Sequence, residues 1–160
     1  MYTADALLDL HERAHQSLQG LIAHCRQVAA GDLERQLAGF GYPSVRLQFV
    51  HVIGAEEYWI GVLEGRIDAD DKDALYTTLD AIEGWRAAVS GATGRWLRAA
   101  MPGPLNTARA MQLWGGREQV LMPARVVLRT VTHLFHHQGQ VVAMCRLLGV
   151  PAPGFDLPIA

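Results

Sequence analysis

The stretch HLFHH, residues 133–137, sets imidazoles at a spacing that a metal can use. At about 100° per residue, His133 and His137 lie roughly 40° apart on one helical face, with Thr130, Gln140 and Met144. His136 falls roughly 60° to one side of His133, towards Arg129, Thr132 and water. Two neutral imidazoles so placed can hold one cation such as zinc, nickel, copper or iron. A polar patch on a buried helix would look the same. A third ligand decides between these readings, and His51 is the candidate. It lies midway along a nearly all-apolar segment, sharing a side with Leu47, Ala55, Tyr58 and Val62. A lone histidine in such a setting is usually a core residue satisfied by one hydrogen bond. Yet burying a titratable ring is unfavourable unless something compensates. Metal sites in helical bundles are built from inward side chains on facing helices. His51, His133 and His137 together would leave coordination positions open for water or substrate.

A second cluster competes with the first. HERAH, His11 to His15, fits the H-E-x-x-H pattern of zinc metalloproteases. Its surroundings argue against that chemistry. His11 lies within an apolar stripe and His15 at its edge, while Glu12 points to the polar side. Only ten residues precede His11, and no substrate-binding strand can be read there. The expectation is that His11 and His15 line or flank a pocket between the helices.

The elements that must carry these residues are helices. Leu7, Leu10, Ala14, Leu18, Leu21, Cys25 and Val28 recur at three- and four-residue steps, predicting a first helix from Ala4 to about Ala30. Ser44 after Pro43 is a plausible N-cap for a second, running to about Glu64. That helix is apolar almost all round, apart from a strip of Arg46, Glu57 and Glu64, and should be largely buried. Residues 66–74, RIDADDKDA, read as a charged loop. A third helix is expected over about Ala74 to Ala100, with Leu75, Leu79, Ile82, Val89, Trp96 and Leu97 on its apolar side. The prolines of MPGP, residues 101–104, end it. Gly115-Gly116, between two short mixed runs, hints at a β-hairpin or an irregular loop. Pro123 suits the first turn of a last helix running to Leu148, with Gly149 at its C-cap. The coarse fold is all-α: one domain over residues 1–160, a four-helix bundle with a small hairpin or an irregular loop before the last helix.

Bulk properties narrow the function classes. The chain has 160 residues, half of them hydrophobic, which suits a single core. Fourteen Lys plus Arg against sixteen Asp plus Glu give a net charge of −2, with no basic excess for nucleic acid. Cys25 and Cys145 lie far apart in sequence, which is neither a disulfide framework nor a C-x-x-C site, and a cytoplasmic location is expected. The first residues lack the basic-then-apolar pattern of a signal peptide. No apolar run approaches the ~18–20 residues of a membrane span.

These residues resemble those of the DinB/YfiT-like family of small helical metal-binding proteins, which is unrelated to the DNA polymerase sharing the name. The resemblance covers nearly the whole chain. It is carried by VHVIGAEEYWIGVLEG and by HLFHHQGQVVAMCRLLGVPAPGFD. The family pattern has one metal histidine in the second helix, matched by His51. It has an H-x-x-x-H pair followed by Gly-Gln in the fourth, matched by His133, His137, Gly139 and Gln140. A Leu-x-x-x-Gly ending with prolines and an Asp is matched by the stretch from Leu147 to Asp156. Gln138 stands where members often have arginine. The resemblance implies an up-down-down-up bundle, a divalent metal (often nickel or zinc) on the three histidines, and commonly a homodimer. Some relatives are thiol-dependent transferases or isomerases, and many have no known activity.

The leading expectation is therefore a metal-dependent enzyme acting on a small molecule, with a low-molecular-weight thiol as a candidate cofactor. A metal-held thiol becomes a nucleophilic thiolate near neutral pH. Water at the same position would instead serve hydrolysis. Tyr58 shares the face of His51 and can reach the pocket, although a packed core tyrosine is the commoner case. Gln140 can touch a ligand or fix His137. His136 is a further neighbour, and Glu56 falls on an apolar side away from His51. The rival expectation is a non-catalytic dimeric bundle whose metal is structural or sensory. Leu128, Phe135 and Val142 would then serve as core or as dimer interface.

Overall fold

The computed structural model describes residues 1–67, 70 and 72–159. Helix α1 spans Ala4–Cys25 and is capped by Thr3, whose side chain accepts the Ala6 N–H. It ends earlier than its apolar stripe. The amides of Arg26, Gln27 and Val28 close successive tight turns, and Ala29 then leaves helical geometry. A short helix α2 follows, Ala30–Leu33. Helix α3, Val45–Leu63, starts where Ser44 accepts the Leu47 N–H at 3.3 Å. Helix α4 spans Leu79–Ala99, starting later than the apolar spacing from Ala74 predicts. Thr78 fixes that start by accepting the Ala81 N–H at 3.2 Å. Leu75 consequently lies outside the helix and is exposed. Of the charged loop over residues 66–74, positions 68, 69 and 71 lie outside the described residues. A short helix α5, Pro102–Asn106, follows.

The Gly-Gly stretch is a hairpin. Strands β1, Arg109–Leu113, and β2, Arg117–Leu121, pair antiparallel, with Arg109 opposite Leu121 and Leu113 opposite Arg117. Gly115 and Gly116 take φ of 73° and 72° in the turn, a conformation that disfavours any side chain. Helix α6, Pro123–Leu147, begins with its proline in the first turn, where no N–H is needed.

The molecule is thus mostly helical with one two-stranded sheet. Helix α1 packs on α4 and α6, α3 packs on the same two, and β1 lies against α3. Leu18, Leu21, Ile22, Phe49 and Ile53 are essentially inaccessible. Each such side chain contributes ~1.5–3 kcal/mol of burial free energy. No helix among the described residues is long and apolar enough to cross a membrane. Helix α3 is the most hydrophobic of the long helices, yet it buries Gln48 and Glu56 completely. Buried polar groups need partners. Their partners are the two histidine clusters.

Candidate metal centre

His51 from α3 meets His133 and His137 from α6. The Nε2 atoms of His51 and His133 are 3.4 Å apart, and those of His137 and His133 are 3.1 Å apart. Three imidazoles bound to one tetrahedral zinc at ~2.0–2.1 Å hold their nitrogens about 3.3 Å apart, so the donor set fits such an ion. The rings are also in the right protonation state. Burial, reinforced by the charge of His133, lowers the His51 pKa to about 4. Burial and the neighbouring histidines lower His137 to about 3. Burial and the Arg129 charge lower His133 as well. Neutral imidazoles offer lone pairs to a cation at neutral pH.

The tautomer of His137 is set by Gln48. His137 Nδ1–H donates to Gln48 Oε1 at 2.6 Å, which leaves Nε2 as the free donor atom. Gln48 is itself held by its amide nitrogen, which donates to the Tyr42 carbonyl at 2.7 Å and to Gln140 Oε1 at 2.8 Å. Gln140 in turn bonds His136 at 2.9 Å. Gln140 therefore acts on His137 through Gln48, and exposed His136 stands one step further out, its ring edge-on to His137 at 5.0 Å. The Tyr42 ring stacks on His51 at 3.8 Å and covers one side of the cluster. Gln48 and Tyr42 were absent from the sequence-derived candidates. A glutamine one turn before His51 in an otherwise apolar helix is the signal that could have flagged Gln48. Tyr42 lies in the loop before α3, with no spacing rule to mark it.

The cluster opens into a cavity of about 850 Å³ walled by His51, His133, Tyr58, Trp59, Trp114 and Arg129, among others. Tyr58 does reach the cavity. Its hydroxyl also accepts the Trp114 N–H at 3.0 Å, pinning the hairpin turn to α3. Arg129 lies over the Trp59 ring at 5.4 Å. Aromatic walls, a guanidinium and open imidazole nitrogens are what a small-molecule site needs.

The HERAH histidines are placed differently. His11, His15 and Glu56 also bring three ligand atoms together, but all three residues are buried. Neither histidine contributes to the wall of the cavity. Each instead faces one carboxylate oxygen of Glu56, His11 Nε2 at 2.8 Å from Oε1 and His15 Nε2 at 2.8 Å from Oε2. Thr93 donates to Oε1 at 2.6 Å. Arg86, which can only donate, faces His15 Nδ1 at 3.3 Å, so the hydrogen of that ring sits on Nε2. These are hydrogen-bond separations between ring and hydroxyl donors and an accepting carboxylate. Burial alone would raise the Glu56 pKa, but His15 and His11 outweigh it and hold the carboxylate ionised. Glu12, the base in a protease reading, is exposed and bonded to Arg98 at 2.8 Å. HERAH thus holds a buried carboxylate, and neither of its histidines lines the cavity beside His51 and His133.

The family model described as the DinB family matches residues 1–160. The chain belongs to the DinB family. Its fold is also that of a conserved protein from Enterococcus faecalis known from a crystal structure. That likeness has a TM-score of 0.67 at 14% identity, covering 92% of this chain and 98% of that one. No curated protein matches the chain. Within the family framework, the three converging histidines are a possible metal site, and the comparisons point to no particular reaction.

Proposed function

We propose that this protein is a divalent-metal-dependent enzyme that holds zinc or nickel on His51, His133 and His137 and acts on a small molecule, as a thiol-dependent S-transferase or isomerase. The observation that carries this reading is the convergence of three neutral imidazoles, two of which, His51 and His133, line an open cavity. A structural ion would need a fourth protein ligand, and among the described residues no fourth His, Cys, Asp or Glu joins this group. When bound, the cation supplies Lewis acidity that lowers the pKa of a thiol or a water at its open positions.

The remaining work falls to the protein's own side chains. Gln48 orients His137, and Tyr42 shields one side of His51 from water. Tyr58, Trp59 and Trp114 give the substrate an apolar face, and Arg129 offers a charge for an anionic group. The reading includes an up-down-down-up four-helix bundle and a homodimer, the latter checked by analytical ultracentrifugation.

The test is metal binding followed by a spectrum. Metal-free protein titrated with zinc or nickel should bind one ion per chain, and His51→Ala should not. Cobalt-substituted protein should then change its visible spectrum when a low-molecular-weight thiol is added. Equal weak binding by wild type and His51→Ala refutes the metal site. Metal binding with a spectrum indifferent to thiols refutes the transferase reading and leaves the hydrolytic one.

A further inference from the structure

Cys25 and Cys145 are 120 residues apart in sequence, yet their sulfurs lie 3.7 Å apart. Both are free thiols and both are completely buried. Cys25 is the last residue of α1, and Cys145 lies in the last turn of α6. The pair belongs to neither histidine cluster.

The segment that follows α6 starts beside this seam and packs on the same core cluster as the two cysteines. Residues 150–158 carry no helix or strand and run back along α1 as a strap. The Val150 N–H donates to the Cys145 carbonyl at 2.9 Å, and His24 Nε2 lies 3.3 Å from the Val150 carbonyl. Ser17 Oγ and Gln138 Nε2 both donate to the Phe155 carbonyl, at 3.1 and 3.2 Å. Arg13 reaches the Pro158 carbonyl at 3.1 Å. The Phe155 ring rests on Gly20, and a Cβ there would stand 3.0 Å from it. From Ser17 onwards the strap is thus held mainly by single side-chain bonds to its backbone. Such segments open at far lower free energy than the helices they cover.

We propose that Cys25 and Cys145 are a disulfide-forming pair, oxidised by low-molecular-weight disulfides when the strap of residues 150–158 lifts. The Cys145 thiolate attacks one sulfur of the small disulfide, forming a mixed disulfide and releasing one small thiolate. That thiolate takes the Cys25 proton, and the Cys25 sulfur then attacks Cys145 Sγ. The second small thiolate leaves and is protonated by solvent, replacing the proton first lost from Cys145. Two protein thiols are oxidised, and the small disulfide is reduced to two thiols. Either sulfur can donate the hydrogen bond between them; when Cys25 donates, the Cys145 thiolate is the one favoured, and it attacks first.

The test uses the full chain incubated with oxidised glutathione, denatured, alkylated and weighed intact. The expected product has lost two hydrogens, resists alkylation at both cysteines, and yields a linked peptide spanning residues 25 and 145. It should also melt at a higher temperature than reduced protein, because the bond closes a long loop. Gln138→Ala, which frees one strap bond without touching either sulfur, should form the bond severalfold faster. Cys25→Ala should stop at a glutathione adduct on Cys145. Full alkylation of both cysteines in wild type and in Gln138→Ala overturns the proposal, as does accumulation of unresolved adducts in wild type. Equal oxidation rates in wild type and Gln138→Ala overturn the strap as the gate.

Discussion

Replacing Gln48 by leucine tests how the candidate metal centre is held together. The two side chains are similar in size, so the change removes hydrogen bonds without opening a large cavity. Three bonds disappear: the one accepted from His137 Nδ1 at 2.6 Å, and those donated to the Tyr42 carbonyl and Gln140 Oε1. Tyr42 and Gln140 have solvent access and can find water in exchange. His137 is buried, so its Nδ1–H is the group left without a partner. An unsatisfied buried donor costs about 1–3 kcal/mol, and this sets the expected loss of folding stability. The effect on metal binding is separate. Without Gln48 the ring can move its hydrogen to Nε2, where it blocks the donor atom. Losing a bond of this kind weakens metal affinity about 10–100-fold. Zinc affinity measured by competition with a chromophoric chelator should fall by that factor, while circular dichroism stays helical. Gln48→Glu keeps an acceptor at Nδ1 and should retain affinity. If Gln48→Leu binds zinc as wild type does, the tautomer argument is wrong and His137 is not a ligand through Nε2.

Other predictions concern the supporting structure. Glu56→Ala removes the partner of two buried rings and one hydroxyl, and urea unfolding should show a loss of about 3–5 kcal/mol, with the zinc stoichiometry unchanged. The folded pKa of Glu56 lies below its ordinary value of 4.5, so the unfolded chain takes up the proton first as pH falls. The Glu56 contribution is therefore complete above about pH 4.5 and lost progressively below it; a pH series of unfolding curves should be flatter in that window for Glu56→Gln. Tyr58→Phe frees the Trp114 amide from its bond to α3. Faster hydrogen exchange at that amide, with about 0.5–1.5 kcal/mol less stability, is the expected result.

The legible parts of the fold were those with a local cause. Ser44 and Pro123 mark helix starts by chemistry that acts within one turn, and both starts agree with the structure. Apolar spacing extends to Leu75 and places the start of α4 too early, because the cap that decides the boundary is Thr78. The His133/His137 pair could be derived because four-residue spacing on a helix guarantees one face. Its meeting with His51 could only be expected, since it depends on how α3 packs on α6. Gln48 escaped notice for the same reason: its three partners come from a loop and from α6, at separations of 6 to 92 residues. The thiol pair was hidden most completely. Nothing near residue 25 or residue 145 announces the other.

Helix α3 shows why one protein can keep two histidine clusters of opposite character. His51 and Glu56 are five residues apart, so they point about 140° away from each other around the helix. His51, with Gln48 one turn earlier, faces α6; Glu56 faces the histidines of α1 and Thr93 of α4. An apolar helix can bury polar groups on two sides only if each side finds its own compensation. On the α1 side most of the compensation comes from the protein itself, because an ionised carboxylate takes hydrogens from two rings and a hydroxyl, while His11 Nδ1 is left without a partner. On the α6 side it is incomplete. Three neutral rings turn lone-pair atoms towards one point, and a shared hydrogen can satisfy only part of that set. A cation satisfies all three at once, and the cavity beside them leaves it room for a further ligand. The same residue type therefore makes a lock where a carboxylate meets it, and a candidate binding site where only other histidines meet it beside an open cavity. Exchanging Glu56 for histidine should destroy the first cluster without creating a second open site, because all three positions are buried and none lines the cavity beside His51 and His133. Zinc titration of Glu56→His should accordingly still saturate at one ion per chain, and a second ion bound with comparable affinity would show that enclosure, not charge, is the wrong criterion.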